Sequence, residues 1–244
     1  MRVPDSSRYL DAIAAESAAL LDAAHTAGVD APVPSCPGWS VADLLGHIGG
    51  VQRWATEMSG RDPGGDYIAR DPSAIPEPTE RFEWVAAATR SLVDALDRPS
   101  DEPAWSWIPP ATVGFWQRRQ AHEAAMHRVD AELTAGVAAP EIDAALATDG
   151  IDEFLTIVQA FSRPRLSGSG ETLHFHCTDV EGEWLVRIDS DGVAIEHEHA
   201  KGDVAAKGRA SDLLCWMQGR APVDVLDVFG DAALLERWRA ETAW

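Results

Sequence analysis

A carboxylate and an imidazole four residues apart have the clearest chemical potential in this sequence. Glu123 and His127 lie in the segment 121–130, which is predicted to be helical. At 3.6 residues per turn, residues spaced by four project from one helix face, about 40° apart. Such a pair forms half of a divalent-metal site, and His47 on another predicted helix is a third candidate ligand. Two histidines and one glutamate would leave coordination positions open, as a catalytic metal ion requires.

Each of these residues also has a purely structural interpretation. His47 has Leu44, Val51 and Trp54 at positions −3, +4 and +7, so its ring is expected to point into a helical bundle. A buried imidazole needs a hydrogen-bond partner, and a lone histidine on an apolar face is more often a core residue than a ligand. Side chains spaced like Glu123 and His127 also occur on exposed polar faces. Both interpretations remain open from the residues alone.

Two neighbours of the pair have different expected roles. Asp130, three residues after His127, could accept a hydrogen bond from the second ring nitrogen, as the partners of metal-bound histidines do. His122 completes the pattern HExxxH, not the HExxH of zinc proteases. It lies about 140° around the helix from His127, so the two cannot easily share one metal ion. We expect His122 to be a core residue or an outer partner of the site.

The strand-rich part of the chain carries two further histidine pairs, His174 with His176 and His197 with His199. Alternation along a strand places the members of each pair on one face, which is compatible with metal binding. Because no carboxylate pattern accompanies them, a solvated or inter-domain face is the favoured interpretation.

Composition excludes several classes of function. The 244 residues carry a formal net charge of −20, which disfavours binding to nucleic acid or an anionic membrane as the main role. The three cysteines form neither a CxxC motif nor an even-numbered disulfide framework, and neither a signal leader nor a membrane-length apolar run is evident. A cytoplasmic monomer is expected. Without a G-x-S-x-G, phosphate-loop or Rossmann glycine motif, nucleophilic hydrolases and dinucleotide oxidoreductases lack support.

Hydrophobic periodicity divides the chain into a helical part and a mixed part. Helices are predicted over residues 7–27, 41–58, 79–96, 112–135 and 141–161, the second with Ser40 as its N-cap. Short strands follow at 173–177, 184–188 and 193–197, a fourth is compatible with 203–207, and helices return at 211–218 and 232–241. The change of period predicts a domain boundary near residues 162–170.

Two motifs resemble the mycothiol-dependent maleylpyruvate isomerase family. Residues 35–47 contain the pattern CPGW-x-V-x-D-L-x-x-H, and residues 122–130 contain HE-x-x-x-HR-x-D. The resemblance extends into the C-terminal part, at residues 173–175, 179–184, 202–204 and 228–231. It implies an α+β protein in which a DinB-like four-helix bundle, residues 1–165, precedes a small sterol-carrier-like α+β domain, residues 166–244. An actinobacterial source would fit both the resemblance and the Arg- and Ala-rich composition.

The resemblance also implies an active site. By motif position His47, Glu123 and His127 would bind a divalent metal ion, most fittingly zinc, and mycothiol would be the thiol co-substrate. A metal-activated thiolate would add to an electrophilic small molecule such as maleylpyruvate, giving an isomerase, or would be transferred to it, giving an S-transferase. Asp130 behind His127 would serve either outcome.

Other roles stay open at this stage. An arginine of the C-terminal domain, Arg220 or Arg209, could pair with a substrate carboxylate, although either could instead lie at a helix end in solvent. A metal-dependent hydrolase is an alternative, with Asp43 or Asp130 as its base. A non-catalytic metal-binding sensor is the third interpretation.

Overall fold

The computed structural model describes residues 6–161 and 166–243. These residues divide into two compact units, one that extends to Pro140 and one that starts at Glu141. None of the helices in the described ranges combines the length and the apolarity that a membrane span needs. The helical N-terminal part and the mixed sheet of the C-terminal part confirm the predicted α+β class.

Four helices form the first unit, as the periodicity predicts. They are α1 (Ser6–Ala27), α2 (Val41–Ser59), α3 (Arg81–Leu96) and α4 (Val113–Thr134). Helix α1 packs along α4, and α2 packs along α3. Fully buried aliphatic side chains fill the space between them, among them Leu20, Leu44, Leu45, Ile48 and Val85. This core fixes the helix faces that α2 and α4 turn toward each other.

A capping box determines where α2 begins. The backbone N–H of Asp43 donates to Ser40 Oγ over 3.2 Å, and Asp43 Oδ2 accepts from the Ser40 backbone N–H over 2.9 Å. This exchange satisfies two donors that a helix start leaves unpaired. The predicted N-cap is therefore confirmed, and it fixes where the helix that carries His47 begins.

Two adjacent glycines on α2 differ in what surrounds them. A Cβ atom at Gly49 would lie 2.2 Å from the indole ring of Trp84 on α3, whereas a Cβ at Gly50 would have no neighbour within 4 Å. The absence of a side chain at Gly49 thus lets the Trp84 indole pack directly on the α2 backbone.

A five-stranded mixed sheet forms the centre of the second unit. Its strands are β1 (Glu171–Cys177), β2 (Glu183–Asp189), β3 (Gly192–Glu196), β4 (Val204–Gly208) and β5 (Asp227–Gly230), in the spatial order β3-β2-β1-β4-β5. Only the β1–β4 pair of these is parallel. The helices are α5 (Ala144–Phe161), α6 (Ala210–Met217) and α7 (Ala232–Thr242). Strand β5, which is short and largely exposed, was not predicted from the sequence.

The position of α5 differs from the sequence-based expectation. The predicted boundary at 165/166 places this helix with the bundle, but α5 packs against α6 and β3 and lies in the second unit. Its apolar face, which includes Ile151, Leu155 and Val158, is buried. The helix continues through Gly150 without interruption. Residues 162–165, next to the predicted boundary, lie outside the described ranges.

Candidate metal centre

Three side chains from two helices converge inside the first unit. His47 projects from α2, and Glu123 and His127 project from successive turns of α4. Glu123 Oε1 lies 3.1 Å from His47 Nε2 and 3.3 Å from His127 Nε2. One ligand atom from each residue lies within 4.8 Å of the other two. The structure therefore brings together the three side chains that the sequence singles out.

These separations can be compared with the geometry of a bound metal ion. Zinc binds imidazole nitrogen and carboxylate oxygen at about 2.0–2.2 Å, so neighbouring ligand atoms of a tetrahedral site are about 3.3 Å apart. The two measured separations match this edge length. Three ligands would leave a fourth position for an exogenous molecule. The donor set and its spacing thus fit a zinc-type ion.

A neighbouring arginine holds the Glu123 carboxylate. Arg119, one turn earlier on α4, donates from Nη2 to Glu123 Oε2 over 2.8 Å, which leaves Oε1 directed at the histidines. Burial would raise the pKa of Glu123, but the hydrogen bonds with His127 and His47 and the positive charges nearby lower this pKa well below its usual range. The carboxylate is therefore ionised, as a metal ligand must be. Sequence analysis missed Arg119, although its spacing of four from Glu123 was a usable signal.

Asp130 orients the His127 ring. Its Oδ2 lies 2.8 Å from His127 Nδ1, and its side chain is completely buried. A proton held on Nδ1 leaves Nε2 to face His47 and Glu123. Burial alone would lower the pKa of His127, but the hydrogen bonds to Asp130 and Glu123 and their charges raise it to about 9. Without a metal ion the ring thus keeps a second proton, which metal binding would have to displace.

The loop before α2 supports the site from the other side. Ser35 Oγ donates to Asp130 Oδ1 over 2.5 Å, and Cys36 Sγ lies 3.6 Å from Asp130 Oδ2. The Trp39 ring lies 5.0 Å from the His47 ring and 6.5 Å from the His127 ring, measured between centroids. The CPGW motif therefore covers the histidines and holds their supporting carboxylate. The sequence revealed the motif but not these contacts.

His122 takes no part in this convergence. It is 5% exposed, and its ring meets the Tyr9 ring edge-on, with 6.3 Å between the centroids. That environment agrees with the expectation of a core residue.

A cavity of about 1100 Å³ opens beside His47. Its wall combines α2, α3 and the segment 67–75, and Trp54 Nε1 anchors that segment by donating to the Ile68 carbonyl over 2.6 Å. Gly46 and Gly50 also line the cavity. A Cβ atom at Gly50 would have no neighbour within 4 Å, whereas one at Gly46 would lie 3.2 Å from Ile75 Cγ2. The other lining residues include aromatic rings and cations: Trp39, Arg53, Trp54, Tyr67, Arg70, Arg81 and Trp84. A space of this size accommodates a ligand of a few hundred daltons.

The two arginines considered from the sequence lie in the second unit. Arg209, just before α6, is exposed and pairs with Glu141 and Asp179. Arg220 follows Gly219, whose φ of +80° ends α6, and its Nη1 donates to the Gln218 carbonyl over 2.6 Å. Its side chain is partly buried. The backbone of each is hydrogen-bonded: the Arg220 N–H donates to the Cys215 carbonyl over 2.7 Å, and the Arg209 carbonyl accepts from the Leu213 N–H over 2.9 Å.

Comparison with known proteins gives a consistent result. The family model described as the mycothiol maleylpyruvate isomerase N-terminal domain matches residues 10–132, and the model of the MDMPI C-terminal domain matches residues 145–237. No protein of curated function matches the sequence. Two crystal structures, of the mycothiol-dependent maleylpyruvate isomerase and of its histidine-to-alanine mutant, share the fold with TM-scores of 0.67. Each is 13% identical, with 93% of this chain and 95% of the other covered. The chain therefore belongs to the mycothiol maleylpyruvate isomerase family.

Proposed function

We propose that this protein is an enzyme that uses mycothiol as a co-substrate and directs its sulfur at an electrophilic small molecule. A divalent metal ion, most fittingly zinc, would be bound by His47, Glu123 and His127. The observation that carries the proposal is the convergence of these ligand atoms, 3.1 and 3.3 Å apart, beside a large cavity in a member of this family.

The protein's own residues would prepare the site in three ways. Arg119 holds one oxygen of Glu123 so that the other stays directed inward. Asp130 fixes the tautomer of His127 and is itself held by Ser35. When bound, a zinc-type ion supplies a Lewis acid at which a thiol is deprotonated at neutral pH, whereas a free thiol of pKa about 8.5 is only a few per cent ionised.

The reaction would follow from a thiolate held near a cavity that admits the electrophile. If the electrophile is a conjugated cis alkene such as maleylpyruvate, addition of sulfur converts its double bond into a single bond that can rotate. The carbon–sulfur bond then breaks, which restores the double bond in the trans form and regenerates the thiolate unchanged. If the electrophile carries a leaving group, the carbon–sulfur bond persists and the thiol is transferred.

Cationic side chains would recognise the acidic electrophile. Arg220 remains our candidate in the C-terminal unit, where its partly buried guanidinium could pair with a carboxylate. Arg53 lines the cavity beside His47, and its guanidinium lies 5.8 Å from the centroid of the Trp84 ring. Arg81 instead supports the cavity wall, because it donates to the carbonyls of Pro76 and Ala42.

No observation favours the hydrolase alternative. In a hydrolase, a base near the metal ion would be expected, with Asp43 and Asp130 as the candidates. Asp130 is occupied by His127 and Ser35, and Asp43 is held in the α2 capping box. Neither is positioned to take a proton from water.

Cobalt substitution offers a direct test. The untagged protein would be loaded with Co²⁺ and titrated with mycothiol, and we expect a thiolate-to-cobalt charge-transfer band that saturates with the thiol. His127→Ala should abolish the band, and His25→Ala, which changes a histidine on α1 outside the site, should leave it unchanged. Cobalt-loaded protein that shows no band at saturating mycothiol would contradict the proposed co-substrate.

A further inference from the structure

A second group of metal-binding side chains lies in the C-terminal unit, apart from the site described above. It consists of His174, His176, Glu183 and His199, and one ligand atom from each lies within 4.8 Å of all the others. The Glu183 carboxylate is at its centre. Its Oε2 lies 2.6 Å from His199 Nδ1 and 3.3 Å from His174 Nε2, and its Oε1 lies 2.8 Å from His176 Nδ1. Together these four residues form the sheet cluster.

Strand geometry explains how the sheet cluster forms. His174 and His176 alternate along β1 with Phe175, which packs on the opposite face against Trp216 and Trp238. The antiparallel register of β1 and β2 places Glu183 directly opposite His176. This carboxylate is the partner that the sequence pattern did not reveal.

The loop after β3 delivers the fourth side chain. His197 Nε2 lies 2.6 Å from Asp152 Oδ1 on α5, so this histidine is directed away from the sheet cluster. Two residues later, His199 reaches Glu183 while its side chain stays 75% exposed. The structure thus separates the two histidines that the sequence pattern had paired.

The three imidazoles are arranged as around one point. Their ring centroids are 5.4, 6.0 and 6.3 Å apart, and the ring planes are inclined by 57° to 89°. Three imidazoles bound to one tetrahedral zinc ion at about 2.0–2.1 Å would have centroids about 5 Å apart. To close a coordination sphere, these separations would have to shorten by about 0.4 to 1.3 Å.

The environment of one ring nitrogen, His176 Nδ1, is further support for a bound metal ion. His176 Nδ1 is inaccessible to solvent and, although it lies 2.8 Å from Glu183 Oε1, makes no hydrogen bond to any of the described residues. A buried ring nitrogen that makes no hydrogen bond lowers stability. A metal ion at the centre of the cluster would satisfy this atom.

We propose that the sheet cluster binds a second divalent ion of the zinc class. Three imidazoles and one carboxylate form a closed set of four ligands, which is typical of structural zinc sites and differs from the three-ligand set at His47. The ion would fasten the loop after β3 to β1 and β2. Its role would be to stabilise the C-terminal unit, and the proposal does not depend on the reaction catalysed.

Metal stoichiometry in site-specific variants tests the proposal. The full-length untagged protein, saturated with zinc and then dialysed, is expected to hold two ions per chain by elemental analysis. The double variant His47→Ala/His127→Ala should retain one. Adding His199→Ala to the double variant should weaken the remaining site by more than about 100-fold, since loss of an outer partner alone costs about 10–100-fold.

A matched control lies two residues away. His197→Ala alters the same loop but not the sheet cluster, and should leave the ion in the double variant. Glu183→Gln, nearly isosteric, is a second disrupting variant whose fold can be checked by circular dichroism. With the sheet cluster intact, zinc should raise the melting temperature of the double variant, and His199→Ala should abolish this rise.

Two results would overturn the proposal. One is a double variant that holds no zinc at saturation. The other is a remaining ion whose affinity is the same with His199→Ala as with His197→Ala. The first result leaves the site at His47 intact, because its ion would then be the single ion of the parent protein. Failure of this inference and failure of the proposed function are thus distinguishable.

Discussion

Replacement of Asp130 by Asn probes the candidate metal centre most selectively. The amide has nearly the shape of the carboxylate, and its oxygen can still accept the hydrogen bond from His127 Nδ1, which now measures 2.8 Å. Its NH₂ group would face Ser35 Oγ, which can accept as well as donate. The exchange therefore removes a negative charge while it preserves the position of the ring.

The expected magnitude follows from the burial of Asp130. Replacing an outer partner of a metal-bound histidine typically weakens metal binding about 10–100-fold, which corresponds to about 1.4–2.7 kcal/mol. Asp130 is 0% exposed, so water does not screen its charge. We therefore expect Asp130→Asn to weaken zinc binding by an amount in the upper part of this range.

Competition with a chromogenic chelator at constant pH would measure the affinity. His199→Ala would be present in every protein compared, so that the sheet cluster does not contribute to the signal. Glu132→Gln is a matched control, because it also removes one negative charge from α4 but contacts Arg128 and not a ligand. It should change the affinity less than about twofold. Equal affinities for the Asn variant and this control would refute the assigned role of Asp130.

The remaining predictions concern stability and reactivity. Gly50→Ala should raise the free energy of unfolding in urea by about 0.5–1 kcal/mol, since Ala favours helix over Gly. Gly49→Ala should lower it by about 1–3 kcal/mol through overpacking against the α3 indole, and equal stabilities would contradict the close contact. Ser40→Ala should cost about 1 kcal/mol at neutral pH. The hydrogen bonds from Ser40 lower the pKa of Asp43, so the part of this contribution that depends on the ionised carboxylate is fully present above pH 3.8 and is lost as the pH falls through the lowered pKa. A deficit that does not shrink in acid would argue against the capping box. Burial, with a nearby carboxylate, raises the pKa of Cys177 to about 12, so mass spectrometry should find it unalkylated by iodoacetamide at mildly alkaline pH until the protein unfolds.

Local interactions explain why much of the bundle could be predicted. The helices α1 to α4 follow from a 3.6-residue apolar period, and Ser40 caps α2 through contacts within four residues. Glu123, His127 and Asp130 share one helix face, so their proximity depends only on helix geometry. None of these features requires knowledge of how helices pack.

The resemblance of the motifs to a known family supported a metal site with ligands from two helices, α2 and α4. The apolar spacing around His47 was consistent with either a core residue or a ligand, and the family motif favoured its role as a ligand together with Glu123 and His127. The structure brings this ring to 3.1 Å from Glu123 across 76 residues of sequence. The hydrophobic pattern of α2 alone does not predict this separation between His47 and Glu123.

Tertiary structure alone decided the remaining features. Ser35 supports Asp130 across 95 residues, the β1–β2 register places Glu183 opposite His176, and α5 packs on the sheet unit. Each depends on how separate segments pack, whereas a sequence pattern reports only the face on which a side chain lies. The sequence by itself therefore determined the helices of the bundle, the Ser40 cap and half of the metal centre. Helix packing and strand register determined which residues from distant segments contact them, because such contacts depend on the fold as a whole.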